Sequence, residues 1–391
     1  MCDTVVKFIK SLLIMCVVLF NNNPTHIKGK IKFMNKYLIL FVFCFSEPSI
    51  TKLISQPVHK NWLNFNSLEY VDVLPKYISQ TKSIAVLIEK NQTDALAMAE
   101  KFHPTFIKSG IDPVNYYLVD DLFANKFISE KLSEEFIKRE IKYIIILNHT
   151  KQGYELIITP FSKTSSFIEP REKAWRMQNP KPEVITRSLY AQAYALERQN
   201  LLVVDKPEFR SPIYTLIGQR LEAYKPDLRS ETLYIPLFEK KVLDSTQQHS
   251  QKLIQIVNLF NHDVDRKNAE LRNIFSNYPH PHEFINENMP AETMLKNNVR
   301  YVLEMIHTTN QNIRAILNYK EKVLGVTEYV TVTMKNGQGN IKRIPSSATT
   351  FKYYIKHLPS NSYYLGTKWD ADYTWQEALQ NHIGLLIAEI K

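Results

Sequence analysis

Residues 142–161 read KYIIILNHTKQGYELIITPF. A continuous apolar run, Tyr143 to Leu147, breaks at Asn148-His149-Thr150-Lys151-Gln152-Gly153 and resumes as Tyr154 to Thr159. Two β-branched runs flanked by aromatics, across a short polar turn with one glycine, predict adjacent buried strands. Upstream, Ser83 to Glu89 predicts a strand. A helix follows, capped by Asn91, with Leu96, Ala99, Phe102 and Phe106 on one face and a stop at Ser109-Gly110. Val114 to Val119 predicts a second strand, and Asn125 opens a helix carrying Ile128, Leu132 and Phe136 one turn apart. The order β-α-β-α-β-β predicts an α/β fold whose first strands are parallel, with helices packed on them.

Downstream, the polar stretch Ser162 to Glu183 predicts a long loop. It holds Arg171, Lys173, Trp175 and Arg176, and this mix of cations and tryptophan marks the expected binding site. The alternative is a tryptophan plugging the core beneath a surface loop. Val184 to Gln199 predicts a helix, Leu201 to Val204 a strand, and Ser211-Pro212 the start of a helix bearing Ile213, Leu216, Ile217 and Leu221. Thr232 to Phe238 closes the expected α/β domain, residues 58–240. The lead-in before Gln80 carries four expected aromatic anchors, Trp62, Phe65, Tyr70 and Tyr77.

Residues 241–325 predict helix throughout. Leu253, Ile256, Val257 and Phe260 form one stripe, and Leu271, Ile274, Phe275 and Tyr278 another. A long helix from Pro290 is expected to carry Leu295, Val299, Val302, Ile306, Ile313 and Leu317. Residues 326–391 predict a small antiparallel sheet plus helix. Glu328 to Met334 alternates, Asn336-Gly337 signals a hairpin, and Phe351, Tyr353 and Ile355 alternate again. Tyr363 to Leu365 adds a strand. Thr374-Trp375-Gln376-Glu377 is a capping box opening a helix with Trp375, Leu379, Ile383, Leu386 and Ile390 on one face.

The net charge of +10 suggests nucleic acid, but half of the excess lies in residues 1–46, with six lysines and one aspartate. The remaining body is only mildly basic and has no Lys/Arg block, so no nucleic-acid partner is expected. All three cysteines (Cys2, Cys16, Cys44) fall in that same leader. Met34-Asn-Lys precedes the apolar run Tyr37 to Phe45, and Ser46 fits a cleavage position, so residues 34–46 read as a signal peptide. A second apolar run, Ser11 to Phe20, makes residues 1–33 an upstream extension ahead of a start at Met34. A hairpin anchor and a single uncleaved anchor are the alternatives, and only they bring in the membrane. The expected location is the periplasm or the outer membrane.

His280-Pro281-His282, with His262, Asp263 and Asp265, is the one cluster of metal-ligating type, and a Pro-flanked turn explains it as well. Asp370-Ala371-Asp372 has the spacing of metal-dependent glycosyltransferases, but turn chemistry next to the capping box accounts for it. No serine-hydrolase elbow, zinc-protease, phosphate-loop or dinucleotide motif is present, and no cofactor is expected.

The body, above all its ending TKWDADYTWQEALQNHI, resembles exported proteins of the Bacteroidota to which no function is attached. Residues 82–161, through IAVLIE, IKREIKYIIIL and ELIITPF, are similar in outline to the small βαβαββ domains of envelope lipoproteins of the curli secretion protein and TolB N-terminal type. That likeness covers about a fifth of the chain and is one of fold alone. These features predict an exported cell-envelope protein that binds or assembles with another envelope component without catalysis. The alternative is a periplasmic hydrolase, metal-dependent through His262, His280 and His282. A cytosolic α/β protein with a misassigned start is the third reading.

Overall fold

The computed structural model describes residues 67–390, apart from 90–91, 200–202, 211–213, 225, 244–250, 287–288, 320–324 and 336–337. The leader with its cysteines, Trp62, Phe65, Asn91, Ser211-Pro212 and Asn336-Gly337 lie outside the described residues.

The quoted stretch forms β4 (Tyr143–Thr150) and β5 (Gly153–Pro160), paired antiparallel from Tyr143↔Pro160 to Thr150↔Gly153. Gly153 turns the chain at φ +113°, where a Cβ would lie 2.4 Å from the Pro180 backbone, so only glycine fits. Ile144 to Leu147 and Leu156 to Ile158 are buried, which is why both strands read as continuous apolar runs.

Around this hairpin lie β1 (Glu69–Val71), β2 (Lys82–Ile88), β3 (Asp112–Leu118) and β6 (Lys173–Asn179). The sheet order is β1-β6-β5-β4-β2-β3, with β3, β2 and β4 parallel as expected and the β4–β5–β6 pairs antiparallel. Helices α1 (Gln92–Ser109) and α4 (Pro182–Tyr194) share one core with Leu87, Ile145, Leu147, Leu156 and Trp175. Leu96, expected in that core, is 40% exposed, and its neighbours Ala95 and Met98 are buried instead. After the short α2 (Val119–Leu122), α3 (Lys126–Lys138) covers the other face, with Phe136 edge-on to Tyr117. Asn125 caps α3 by accepting from the Ile128 amide, as its sequence implies.

The mixed α/β class stands, and several elements differ within it. The expected loop around Trp175 is β6, so its tryptophan is a core residue. Val203 and Val204 are not in a strand, and Tyr214 to Gln219 is not helical. Arg220–Leu221 is instead strand β7. Tyr70 and Tyr77 are exposed and do not serve as anchors.

The second sheet has the order β7-β14-β13-β10-β8-β9. Its strands are β8 (Leu233–Leu237), β9 (His282–Asn286), β10 (Tyr301–Thr309), β13 (Thr349–His357) and β14 (Ser362–Tyr364), with β7. It therefore draws strands from residues 220–364. The expected helix throughout 241–325 holds for α5 (Gln251–Phe275) and fails beyond it. The helix begun near Pro290 is only α6 (Ala291–Lys296), closed by Asn298 at φ +56° with Val299 N–H donating to the Met294 carbonyl. The chain then becomes β10, the strand paired over its whole length with β13, before a turn of helix α7 (Asn310–Ile316). Both faces of β10 are covered, so its apolar spacing fits a helical stripe as readily as a strand.

Strands β11 (Glu328–Lys335) and β12 (Gln338–Pro345) form a separate two-stranded sheet. The C-terminal helix α8 (Trp375–Glu389) opens with the Thr374 hydroxyl accepting from the Glu377 amide, as the capping box predicts. Trp375, Leu379, Ile383, Leu386 and Ile390 enter the second core together with Tyr353 and Ile355.

Trp175 tests the first core. It is 1% exposed, and its indole N–H donates to Gln192 Oε1 at 3.1 Å. Trp175→Ala is expected to cost about 3–5 kcal/mol in urea unfolding. A loss below about 1 kcal/mol would mean the ring is not the plug described.

Candidate functional site

Strands β8 and β10 run in parallel for only two residue pairs, Tyr301↔Leu233 and Val302↔Tyr234, and then part. The gap is a cavity of about 670 Å³. Strand β8 lines one side with Ile235 and Leu237, and β10 the other with Leu303, Glu304, Met305 and His307. Helix α5 contributes Phe260, Val264 and Leu271, and Met294 and Trp375 add further apolar wall. The first sheet also reaches it, through Asp120, Phe123 and Lys126 at the carboxyl end of β3. That end of a parallel strand is where open α/β sheets usually hold ligands.

Backbone geometry ties this rim together. His307 N–H donates to the Ala124 carbonyl at 2.9 Å, so it points away from β13. Because an antiparallel strand alternates its polar groups, Leu303 and Met305 turn theirs the same way, toward the opening left by β8. Asp121 accepts from Asn312 at 2.8 Å and from the Thr308 hydroxyl, which fastens α2 to β10 and α7.

The polar end of the cavity is built from acids and bases brought together by the fold. Asp120 Oδ1 stands 3.8 Å from His307 Nδ1, and their side chains retain 17% and 12% of their exposure. The His307 ring stacks on Phe351 with centroids 4.1 Å apart. Burial, with the charge of Asp121 behind it, pushes the Asp120 carboxyl up to about 7. Burial raises Asp121 to about 6, although the Thr308 and Asn312 hydrogen bonds oppose this. Burial also raises Glu304, against the pull of Lys356 and Lys126. A low-dielectric pocket with convergent, perturbed acids is the ordinary form of a small-molecule site.

None of the binding or metal-ligating candidates read from the sequence lies at this cavity. Trp175 is in the core, and on the same strand Arg176 is bound to Glu155 at 2.6 Å and lies over the Tyr70 ring. Arg171 pairs with Glu69 at 2.9 Å in the preceding turn, and Lys173 is exposed at the start of β6. The fold thus sets these four along one strand and its approach, not around an opening. His262 is exposed on α5, about 20 Å along the axis from the helix end that His280 and His282 follow. His282 is wedged against Phe275 and Phe284 with Nδ1 3.0 Å from the His280 carbonyl. Asp263 and Asp265 sit mid-helix, paired with Lys267 and Lys240. Among the described residues, no three His, Cys, Asp or Glu side chains converge as metal ligands. The cavity's own acids left one sequence signal, Asp120-Asp121 directly after a predicted parallel strand.

Asp120 carries a pH signature. Its raised pKa means the folded chain keeps a proton that the unfolded chain releases between about pH 4 and about pH 7. Stability is therefore lost as pH rises through that window, by up to about 1.4 kcal/mol per pH unit, and the cost stays constant above it. Asp120→Asn, which cannot ionise, should unfold at higher urea than the parent near pH 8 and lose the advantage near pH 4. A gap that does not change with pH would show that Asp120 ionises freely.

No protein-family model matches the chain and no curated protein is similar to it in sequence, so its function is argued from this geometry.

Proposed function

We propose that the chain is an exported, non-catalytic binding component of the cell envelope that holds a small amphipathic ligand in the cavity between β8 and β10. The observation that carries this reading is the cavity itself: about 670 Å³, within the range of small-molecule pockets, apolar along most of its wall and charged at one end. The apolar wall would take the body of the ligand. Lys126, Lys356, Glu304 and the Asp120–His307 pair would orient its polar end. Export rests on the composition of residues 34–46, and the partner it implies is another envelope component.

A hydrolytic role would use His307 as base with Asp120 behind it. Binding is preferred because no serine, threonine or cysteine stands among the described residues that line the cavity. A covalent route would lack its usual nucleophile.

The probe for the cavity is 1-anilinonaphthalene-8-sulfonate, an apolar ring system with one charged group. The folded protein should bind it saturably, at one site, with blue-shifted fluorescence. Ile217→Trp, at an exposed position of the rim, should abolish that signal without moving the thermal midpoint. Unchanged fluorescence in this variant would place the dye elsewhere and remove the support for a ligand cavity.

Export is tested separately, by the N-terminal sequence of the protein from fractionated cells. A chain starting at Glu47 in the periplasmic or outer-membrane fraction is expected. A cytosolic chain that keeps Met1 or Met34 would overturn the envelope reading while leaving the cavity untouched.

A further inference from the structure

Among the described residues, the most enclosed charges lie outside the cavity's chemistry. Lys352 of β13 and Asp370, in the segment between β14 and α8, are 0% and 1% exposed, with Nζ 2.6 Å from Oδ1. That approach is not along a hydrogen-bond direction, since Oδ1 takes no hydrogen bond among the described residues. Two backbone carbonyls aim the nitrogen instead, Tyr353 at 2.7 Å and Leu365 at 3.0 Å. The other carboxyl oxygen, Oδ2, meets His382 Nδ1 at 2.9 Å, and the Tyr224 hydroxyl lies 3.3 Å behind the imidazole. An amine thus stands beside a carboxyl group in a site closed to water, with an imidazole on the other carboxyl oxygen.

We propose that Lys352 and Asp370 join through an intramolecular amide, formed after folding, with His382 holding the oxygen that stays as the amide carbonyl. The site starts as ammonium and carboxylate. Nitrogen loses a proton to Oδ1, its lone pair attacks Cγ while His382 Nδ1–H donates to Oδ2, and the new N–C bond forms as the bond from Cγ to Oδ1 breaks. Oδ1 leaves as water with two protons that the nitrogen gave up. One ammonium and one carboxylate become one neutral amide and one water, with nothing oxidised or reduced. The remaining N–H keeps one of the two carbonyl acceptors.

Burial favours each stage, because a low dielectric penalises the two separate charges and rewards their loss. It draws the Lys352 ammonium below its ordinary pKa, which eases loss of a proton, and keeps the His382 imidazole below its own, so the ring is neutral and donates to Oδ2 through Nδ1–H. Burial alone would raise Asp370, but the Lys352 charge and the His382 hydrogen bond outweigh it, so the carboxyl enters as the ion. The bond would tie β13 to the start of α8 covalently, in a body with no cysteine after residue 44.

The test is a tryptic map of the folded, full-length protein, unfolded only for digestion and read by mass spectrometry. Cleavage after Arg343, Lys356 and Lys368, and none after Lys352, should yield residues 344–356 joined to residues 369–391. That species should be lighter than the two peptides together by one water. Asp370→Asn should give the same product, with ammonia leaving in place of water. His382→Phe, which cannot donate to Oδ2, should give the separate peptides at their sequence masses from a protein with parental circular dichroism. Free cleavage after Lys352 in the parent, with both peptides at their sequence masses, would overturn the proposal and leave an ion pair. If His382→Phe fails to fold, the parent map decides alone.

Discussion

The carboxylate of Asp370 is the constraint on which the C-terminal half depends. An ion taken wholly out of water costs several kcal/mol unless the fold supplies opposite charge and hydrogen bonds at the same place. Here Lys352 arrives from β13 and His382 from α8, so strand, helix and connecting segment have one relative placement that leaves no charge stranded. Asp372 repeats the device one step on. It meets Lys342 from β12 and Asn381 from α8, while its backbone bridges to Phe351. Two acids spaced by one residue thus orient the two-stranded sheet and α8 about β13. The apolar stripe of α8 supplies the burial, and the acids decide where that stripe comes to rest.

With β13 held in this way, β10 is paired along one edge by nine consecutive partners from Tyr301↔His357 to Thr309↔Thr349. Its other edge is shared. Strand β8 takes the first two residues and the segment after α2 takes His307 through Ala124. Neither covers the stretch between, and the cavity is that uncovered stretch. Its polar end follows from the same arrangement, because Asp121 must reach Thr308 and Asn312 to be satisfied, and this sets Asp120 at the rim facing His307. Site and scaffold are in this sense one construction: the buried bonds of Asp121 keep Asp120 in a low dielectric, where its carboxyl is pushed up to about 7.

Much of the first sheet was legible residue by residue. The apolar runs of β2, β4 and β5, the Asn125 cap of α3 and the capping box of α8 are local signals, written within a few positions of the structure they specify. Elements misread as something else share one cause, that their partners are distant. Strand β6 looks like a polar loop because Arg176 answers Glu155, and Gln178 answers Thr150 and Gln152, on the neighbouring hairpin. Strand β10 looks like helix because covering both faces removes the alternation that would mark it. The Asp370-x-Asp372 pair looks like turn chemistry because Lys352, Lys342 and His382 are far away in the sequence or belong to other elements. The tryptophan read as an interface anchor is a core residue, since burial of one face of β6 is set by α1 and α4.

Taken alone, the sequence determined the α/β class, the parallel order of the first strands, the capped helices and the apolar faces that drive the two cores. These follow from periodicity and backbone chemistry over short spans, which need no knowledge of what packs where. Only the tertiary structure decided that Asp120, Glu304 and His307 share one cavity and that Lys352, Asp370 and His382 share one buried site. The reason is physical. A charge's ionisation, accessibility and reactivity depend on the dielectric and the partners around it, and both are supplied by chain segments that only folding brings within a few ångströms.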